Sequence, residues 1–187
     1  MDVEDRRTLD LVFSLAYGEL KRIASSVLRD YAQATLTPTS LVNEAWFKLA
    51  RSPAVAQTSP LHFKRIAARA MRQVLVEAAR RRAAVRRGSG GMQIAFDEST
   101  TGITDLMSSK DILALDAALD DLNKLSPRQA KLVEGRFFGG LDVAESAELM
   151  GVSRATVMRE WRYARAWLAC RTREYLEGTP APASPLE

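Results

Sequence analysis

The stretch from Asp142 to Val157 constrains this chain more than any other. Its skeleton is Ala147, three residues, Gly151, five residues, Val157, the spacing of two short helices that cross at a tight turn. Ala147 is small where the helices cross. Gly151 supplies the positive φ of the turn, and Val152 and Val157 fill the wedge between the helices. Ser153 is a natural N-cap for the second helix. With Val157, Trp161, Ala164 and Leu168 turned inward, that helix carries Arg154, Ala155, Met158, Arg159, Arg162 and Arg165 on its outward face. Such a face fits a DNA major groove, with Arg154, Met158 and Arg159 nearest the bases and Arg162 or Arg165 on phosphate. Any two-helix corner with glycine in its turn can imitate the pattern, and arginines also solvate long helices.

The rest of the chain has the same helical period. Leu9, Val12, Phe13, Ala16, Leu20, Ile23, Ala24 and Val27 recur at three and four, which predicts a helix from about Asp5 to Arg29. A second begins after Thr37-Pro38-Thr39 and buries Leu41, Val42, Ala45, Trp46 and Leu49. The break at Ser59-Pro60 opens a third, with Phe63, Ile66, Ala67, Ala70, Met71, Val74 and Ala78 inward. Ile112, Leu115, Ala118, Leu119 and Leu122 mark a fourth helix, ending near Ser126. Pro127 opens a fifth, closed by Gly139-Gly140, and two more run from about Asp142 to Met150 and Ser153 to Leu176. No β-strand is expected.

Charge divides the chain. Up to Arg87 the net charge is +8, from Gly88 to Leu125 it is −5, and beyond Ser126 it is +1. Most of the early excess lies between His62 and Arg87, nine basic residues against the single acid Glu77. Arg65, Arg69, Arg72, Val76 and Arg80 fall on one helical stripe, extended by Arg81, Arg82, Arg86 and Arg87. A stripe of this kind tracks a phosphate backbone. A solvated face or a membrane-surface helix are the blander alternatives, the latter weakened by an opposite face rich in alanine. The segment 88–110, rich in Gly, Ser and Thr, predicts a flexible acidic linker. The expected fold is therefore all-α. Two small helical domains, 1–87 and 111–177, are joined by that linker and followed by a disordered Pro/Ala tail over 178–187, whose terminal Leu-Glu resembles a cloning remnant. The acids of the linker region, including Asp116, Asp120 and Asp121, face the arginine stripe in charge. A compact free state, with the second domain shielding the basic helix, is expected on that ground.

Other functions lack their parts. One cysteine, Cys170, and one histidine, His62, leave no disulfide, no Cys/His zinc framework and no histidine-centred triad. No catalytic residue, metal or cofactor is expected. Cys170 reads as packed or inert, His62 as a capping or phosphate-contacting residue, and the three aspartates as a solvated face. The absence of a long apolar run and of a secretory signal points to a cytoplasmic protein without membrane contact.

The basic helix and the helix-turn-helix, in this order and spacing, resemble the extracytoplasmic-function (ECF) group of bacterial sigma factors, in a divergent branch. The resemblance covers residues from about 5 to 176. Ser40-Leu41-Val42-Asn43-Glu44-Ala45-Trp46-Phe47-Lys48-Leu49 is similar to the family's D-L-V-Q-E-x-F-x-x-L helix, with Leu41, Val42, Glu44 and Leu49 matching and Ser40, Asn43 and Trp46 departing from it. That resemblance implies core RNA polymerase as a partner, bound through Asn43, Glu44 and Lys48. The helix from His62 to Arg82 looks like the family's reader of the downstream promoter element, implicating His62, Arg65, Arg69, Arg72 and Arg80. The loop from Pro53 to Leu61 is then expected to hold an extruded base. Leu125-Ser126-Pro127-Arg128-Gln129 is similar to the family's L-P-x-R-Q string, after which the helix-turn-helix would read the upstream element of promoter DNA. The resemblance admits an anti-sigma factor as a further partner and implies a monomer when free. The rival readings are a stand-alone regulator that binds DNA as a dimer with a sensory first domain, and an enzyme acting on nucleic acid.

Overall fold

The computed structural model describes residues 3–29, 36–50, 59–88 and 108–178. Every regular element among them is an α-helix: α1 Val3–Arg29, α2 Pro38–Leu49, α3 Pro60–Gly88, α4 Ser109–Leu125, α5 Pro127–Phe137, α6 Val143–Met150 and α7 Arg154–Glu177. Most of the expected linker falls outside the described residues. At its edges α3 runs on through Gly88, and α4 already includes Ser109 and Lys110. The loop expected from Pro53 is described only from Ser59, and the tail only at Gly178.

Local chemistry sets the helix ends. Thr37 caps α2 by accepting from the Ser40 backbone N–H, while the Ser40 hydroxyl accepts from the Thr37 N–H at 2.8 Å, a reciprocal box with serine in the place usually held by glutamate. Asp142 and Glu145 form the same box at α6, and Ser108 with Asp111 at α4. Pro127 occupies the first turn of α5, where its missing N–H costs nothing.

Helices α1, α2 and α3 pack together around Leu20, Ala24, Leu41, Val42, Phe63 and Met71, with Phe13 stacked on Trp46 at 4.2 Å. In the second half α4 lies along α7 and α5, joined by Ala118, Leu119, Leu122, Ala164 and Leu168. The predicted solvated face of α4 is overturned at Asp121, which is buried. Its carboxylate accepts from Arg171 at 2.7 and 3.0 Å, from the Tyr175 hydroxyl at 2.6 Å and from Lys124 at 3.0 Å, fastening α4 to the end of α7. Cys170, expected to be packed or inert, is not packed but exposed, because Ala164, Leu168 and Arg171 take the inward positions around it.

Helix α3 is buried on two faces. The predicted stripe of Phe63, Ala67, Met71 and Val74 meets α1 and α2. A second face, with Ala68, Leu75, Val76 and Ala79, is also sealed, and α4 and α5 are packed against α3. One apolar cluster therefore runs through both halves of the chain. Full burial of a side chain such as Leu75 or Val76 stabilises by about 1.5 to 3 kcal/mol, so this seam is a substantial contact.

Candidate nucleic-acid interface

The turn between α6 and α7 has the geometry its sequence requires. Gly151 sits at φ 64°, the left-handed region, and ends α6. The Val152 N–H then donates to the Ala147 carbonyl at 3.1 Å and the Gly151 N–H to that of Glu148 at 3.2 Å, which satisfies the last carbonyls of the helix. Ser153 caps α7 through the Thr156 N–H at 3.1 Å. Leu132, Ala147 and Val157 form a small core beneath the turn, joined by the half-buried Val152 and Trp161.

This core fixes the rotation of α7. Val157, Ala164 and Leu168 are buried, and Arg154, Ala155, Met158, Arg159, Arg162 and Arg165 are all exposed. Met158, at 54% exposure, stands with Ala155 among the arginines as an apolar side chain on that face. Arg165 also borders an apolar groove of about 920 Å³ lined by Leu119, Phe137, Trp161 and Leu168.

Arg128 and Arg136, which sequence reasoning left without roles, brace α7. Arg128 at the start of α5 grips Glu160 of α7 through Nε and Nη2, at 3.2 and 2.5 Å. Arg136 at the end of α5 lies over the Trp161 ring at 4.4 Å. The string Ser126-Pro127-Arg128 thus starts a helix and aims a cation at its neighbour. Only the first of these is visible in local spacing.

The arginine stripe of α3 is divided by the fold. Arg69, Arg80 and Arg81 are exposed and Arg65 is half-buried. Val76, read as part of the stripe, is buried against the second half. Arg72 is only 16% exposed: its Nη2 donates to Asp116 and Asp120 at 2.6 Å each, its Nε to Asp116 at 2.9 Å, and Nη1 lies 3.4 Å from Glu134. Burial works against its charge, but the hydrogen bonds of Asp120 and Asp116 outweigh burial and raise its pKa above the ordinary arginine value. Arg80 reaches the other Asp116 oxygen at 3.3 Å. His62 is exposed at the start of α3, its Nδ1 3.0 Å from the Ser59 hydroxyl, which also accepts from the His62 N–H at 3.3 Å.

On α2, Asn43 and Glu44 are exposed, whereas Lys48 is half-buried and paired with Glu77 of α3 at 2.7 Å. Phe47 lies beside them and is 67% exposed, an aromatic the sequence pattern had not singled out as a contact residue. Among the described residues no group of three His, Cys, Asp or Glu side chains could hold a metal ion, and no helix is long and apolar enough to cross a membrane.

Neither the curated proteins nor the solved structures contain a match to the chain. The model of the ECF sigma factor family, whose members act in transcription initiation, matches residues 3–174 and so spans α1 through most of α7. With a match of that extent, over both helical halves and the helix-turn-helix, the chain belongs to the ECF sigma factor family.

Proposed function

We propose that the protein delivers core RNA polymerase to promoters as a monomer, reading the upstream element with α7 and engaging the downstream element with α3. The observation that carries this reading is the outward face of α7, where Arg154, Met158 and Arg159 project from a capped turn over a small fixed core. Arginine at guanine edges supplies base discrimination, and the arginines further along the helix supply phosphate contacts. On α3 the residues assigned to the downstream element are His62, Arg65, Arg69, Arg72 and Arg80. The polymerase-facing surface is assigned to Asn43, Glu44 and Lys48 of α2, with Phe47 added to it, since aromatic residues, phenylalanine included, are enriched in protein–protein interfaces relative to the rest of the surface.

The test is transcription in vitro with purified core polymerase on a genomic DNA library. Discrete start sites that appear only when the protein is added, preceded by a shared pair of elements, are expected. If the protein instead binds a palindrome as a dimer and adds no new start sites to the polymerase, the sigma reading is wrong and the regulator reading takes its place.

A further inference from the structure

The second half of the chain is seated on the helix assigned to promoter DNA. Three kinds of contact hold it there. Asp116, Asp120 and Glu134 surround the Arg72 guanidinium, and Asp116 also takes Arg80. Lys64 of α3 bridges Glu145 of α6 at 2.7 Å and Glu19 of α1 at 2.8 Å. Beside the Arg72 clasp, Leu75 and Val76 meet Ile112, Leu115, Leu119 and Phe138 around one small apolar gap.

The third contact is steric. The turn after α5 lies in close contact with α1 and α3. A Cβ on Gly139 would stand 3.0 Å from the Ala68 Cβ and 3.2 Å from the Lys64 carbonyl, besides 2.5 Å from the carbonyl of Gly135 in the last turn of α5. One on Gly140, at φ +63°, would stand 2.5 Å from Ile23 Cδ1. This close fit adds to the ionic and apolar contacts between the two halves.

We propose that this closed arrangement is autoinhibitory: the Asp116, Asp120 and Glu134 carboxylates occupy the Arg72 site as stand-ins for DNA phosphates, and α4 and α5 cover that side of α3. The proposal rests on α3 being the promoter-facing helix. Nε and both Nη2 hydrogens of the guanidinium go to Asp116 and Asp120 and one Nη1 hydrogen faces Glu134, so a single Nη1 hydrogen remains amid three carboxylates that repel a phosphate, and closing opposes DNA binding at Arg72. Closing also draws the helix-turn-helix against α3, since Glu145 in the first turn of α6 is bonded to Lys64. Promoter elements nearly two DNA turns apart are separated by on the order of 60 Å, so simultaneous reading of both requires release of this contact. Polymerase and DNA shift the population toward the open form because only that form can bind both elements.

Two experiments on the full chain test the device. In the first, Gln73→Cys and Asp120→Cys are introduced with Cys170→Ser, because positions 73 and 120 line one polar recess between α3 and α4. The pair is then bridged by a short, reducible dithiol-specific linker. Intramolecular bridging in the free protein is expected, with promoter-dependent transcription falling at least about tenfold and returning when the linker is reduced. Failure to bridge, or full transcription by the bridged protein, overturns the proposal.

In the second, the Asp116→Asn, Asp120→Asn, Glu134→Gln variant is titrated with a promoter duplex in the absence of polymerase. Binding tighter by about tenfold, the factor lost when one molecule in ten is open, is expected together with a larger radius of gyration in small-angle scattering. Unchanged affinity and unchanged dimensions overturn it. If the reduced protein of the first experiment does not transcribe at all, the sigma reading fails, and the second experiment decides the closed state by itself.

Discussion

Asp121 is the residue whose surroundings do most to fix the second half of the chain. Burial alone would raise its carboxyl pKa, but the Tyr175, Arg171 and Lys124 donors hold it down at about 2. A carboxyl depressed in the folded state contributes stability that is fully present above its unfolded pKa and is lost as pH falls through the folded one. The loss therefore falls between about pH 4 and pH 2, and a depression of this size corresponds to about 2 kcal/mol. Urea denaturation of wild type and Asp121→Asn should show the variant less stable at pH 7, with the gap narrowing toward pH 2. A gap independent of pH would mean that packing, not the charge, carries the contact. The arginines of α7 divide differently. Arg159→Ala should change which upstream sequences are preferred, by about 1 to 3 kcal/mol at one base pair, whereas Arg165→Ala should weaken all sequences alike and lower the salt slope of binding. Binding measured across a panel of single-base promoter variants separates these outcomes, and an equal uniform loss for both would show that the facing of α7 is misassigned.

At the scale of elements, the helix ends are legible because their chemistry is local: Thr37 before Pro38, Ser59 before Pro60, Ser126 before Pro127, Asp142, and Ser153 after Gly151. The rotation of α7 is legible for the same reason, since its period sorts Val157, Ala164 and Leu168 from the arginines. The second buried face of α3 is not. Ala68, Leu75, Val76 and Ala79 lie among Lys64, Arg65 and Arg72, and an apolar residue set among cations reads as filling until a distant element covers it. Asp121 is hidden likewise, because its partners Arg171 and Tyr175 lie at the far end of α7. Helix α2 shows how exposure adds to pattern. Asn43, Glu44 and Phe47 share its outer surface and take no part in the core, so replacing them should leave helical content unchanged. The Asn43→Ala, Glu44→Ala pair and Phe47→Ala should each weaken core polymerase binding by about tenfold, as truncation of a central contact does. An affinity titration with core polymerase, beside far-ultraviolet circular dichroism, checks both halves of this expectation, and full affinity with all three removed would place the polymerase contact elsewhere.

The whole molecule is described better by its seam than by its two halves. Charge along the chain already implies that acids and arginines should meet, and Arg72 with Asp116 and Asp120 is that meeting. The apolar cluster that continues across it makes a stronger demand, because buried surface shared by two units couples their unfolding. The tryptophans allow this to be measured separately, since Trp46 lies in α2 while Trp161 and Trp167 lie in α7. In a Trp161→Phe, Trp167→Phe protein the fluorescence reports the first half, and in Trp46→Phe it reports the second. Because the tryptophan substitutions themselves shift stability, each reporter is compared with and without Gly139→Val. That side chain would collide with Ala68 and the Lys64 carbonyl while adding its strain at the turn itself. If the seam couples the halves, Gly139→Val should lower the midpoint reported by Trp46, although no residue of the first half has been changed. The size expected is the loss of one or two buried apolar side chains from the seam, about 2 to 4 kcal/mol shared between the units. A Trp46 midpoint untouched by the substitution would show that the first half folds without support from the second, and the seam would then be a contact of orientation with no share in stability.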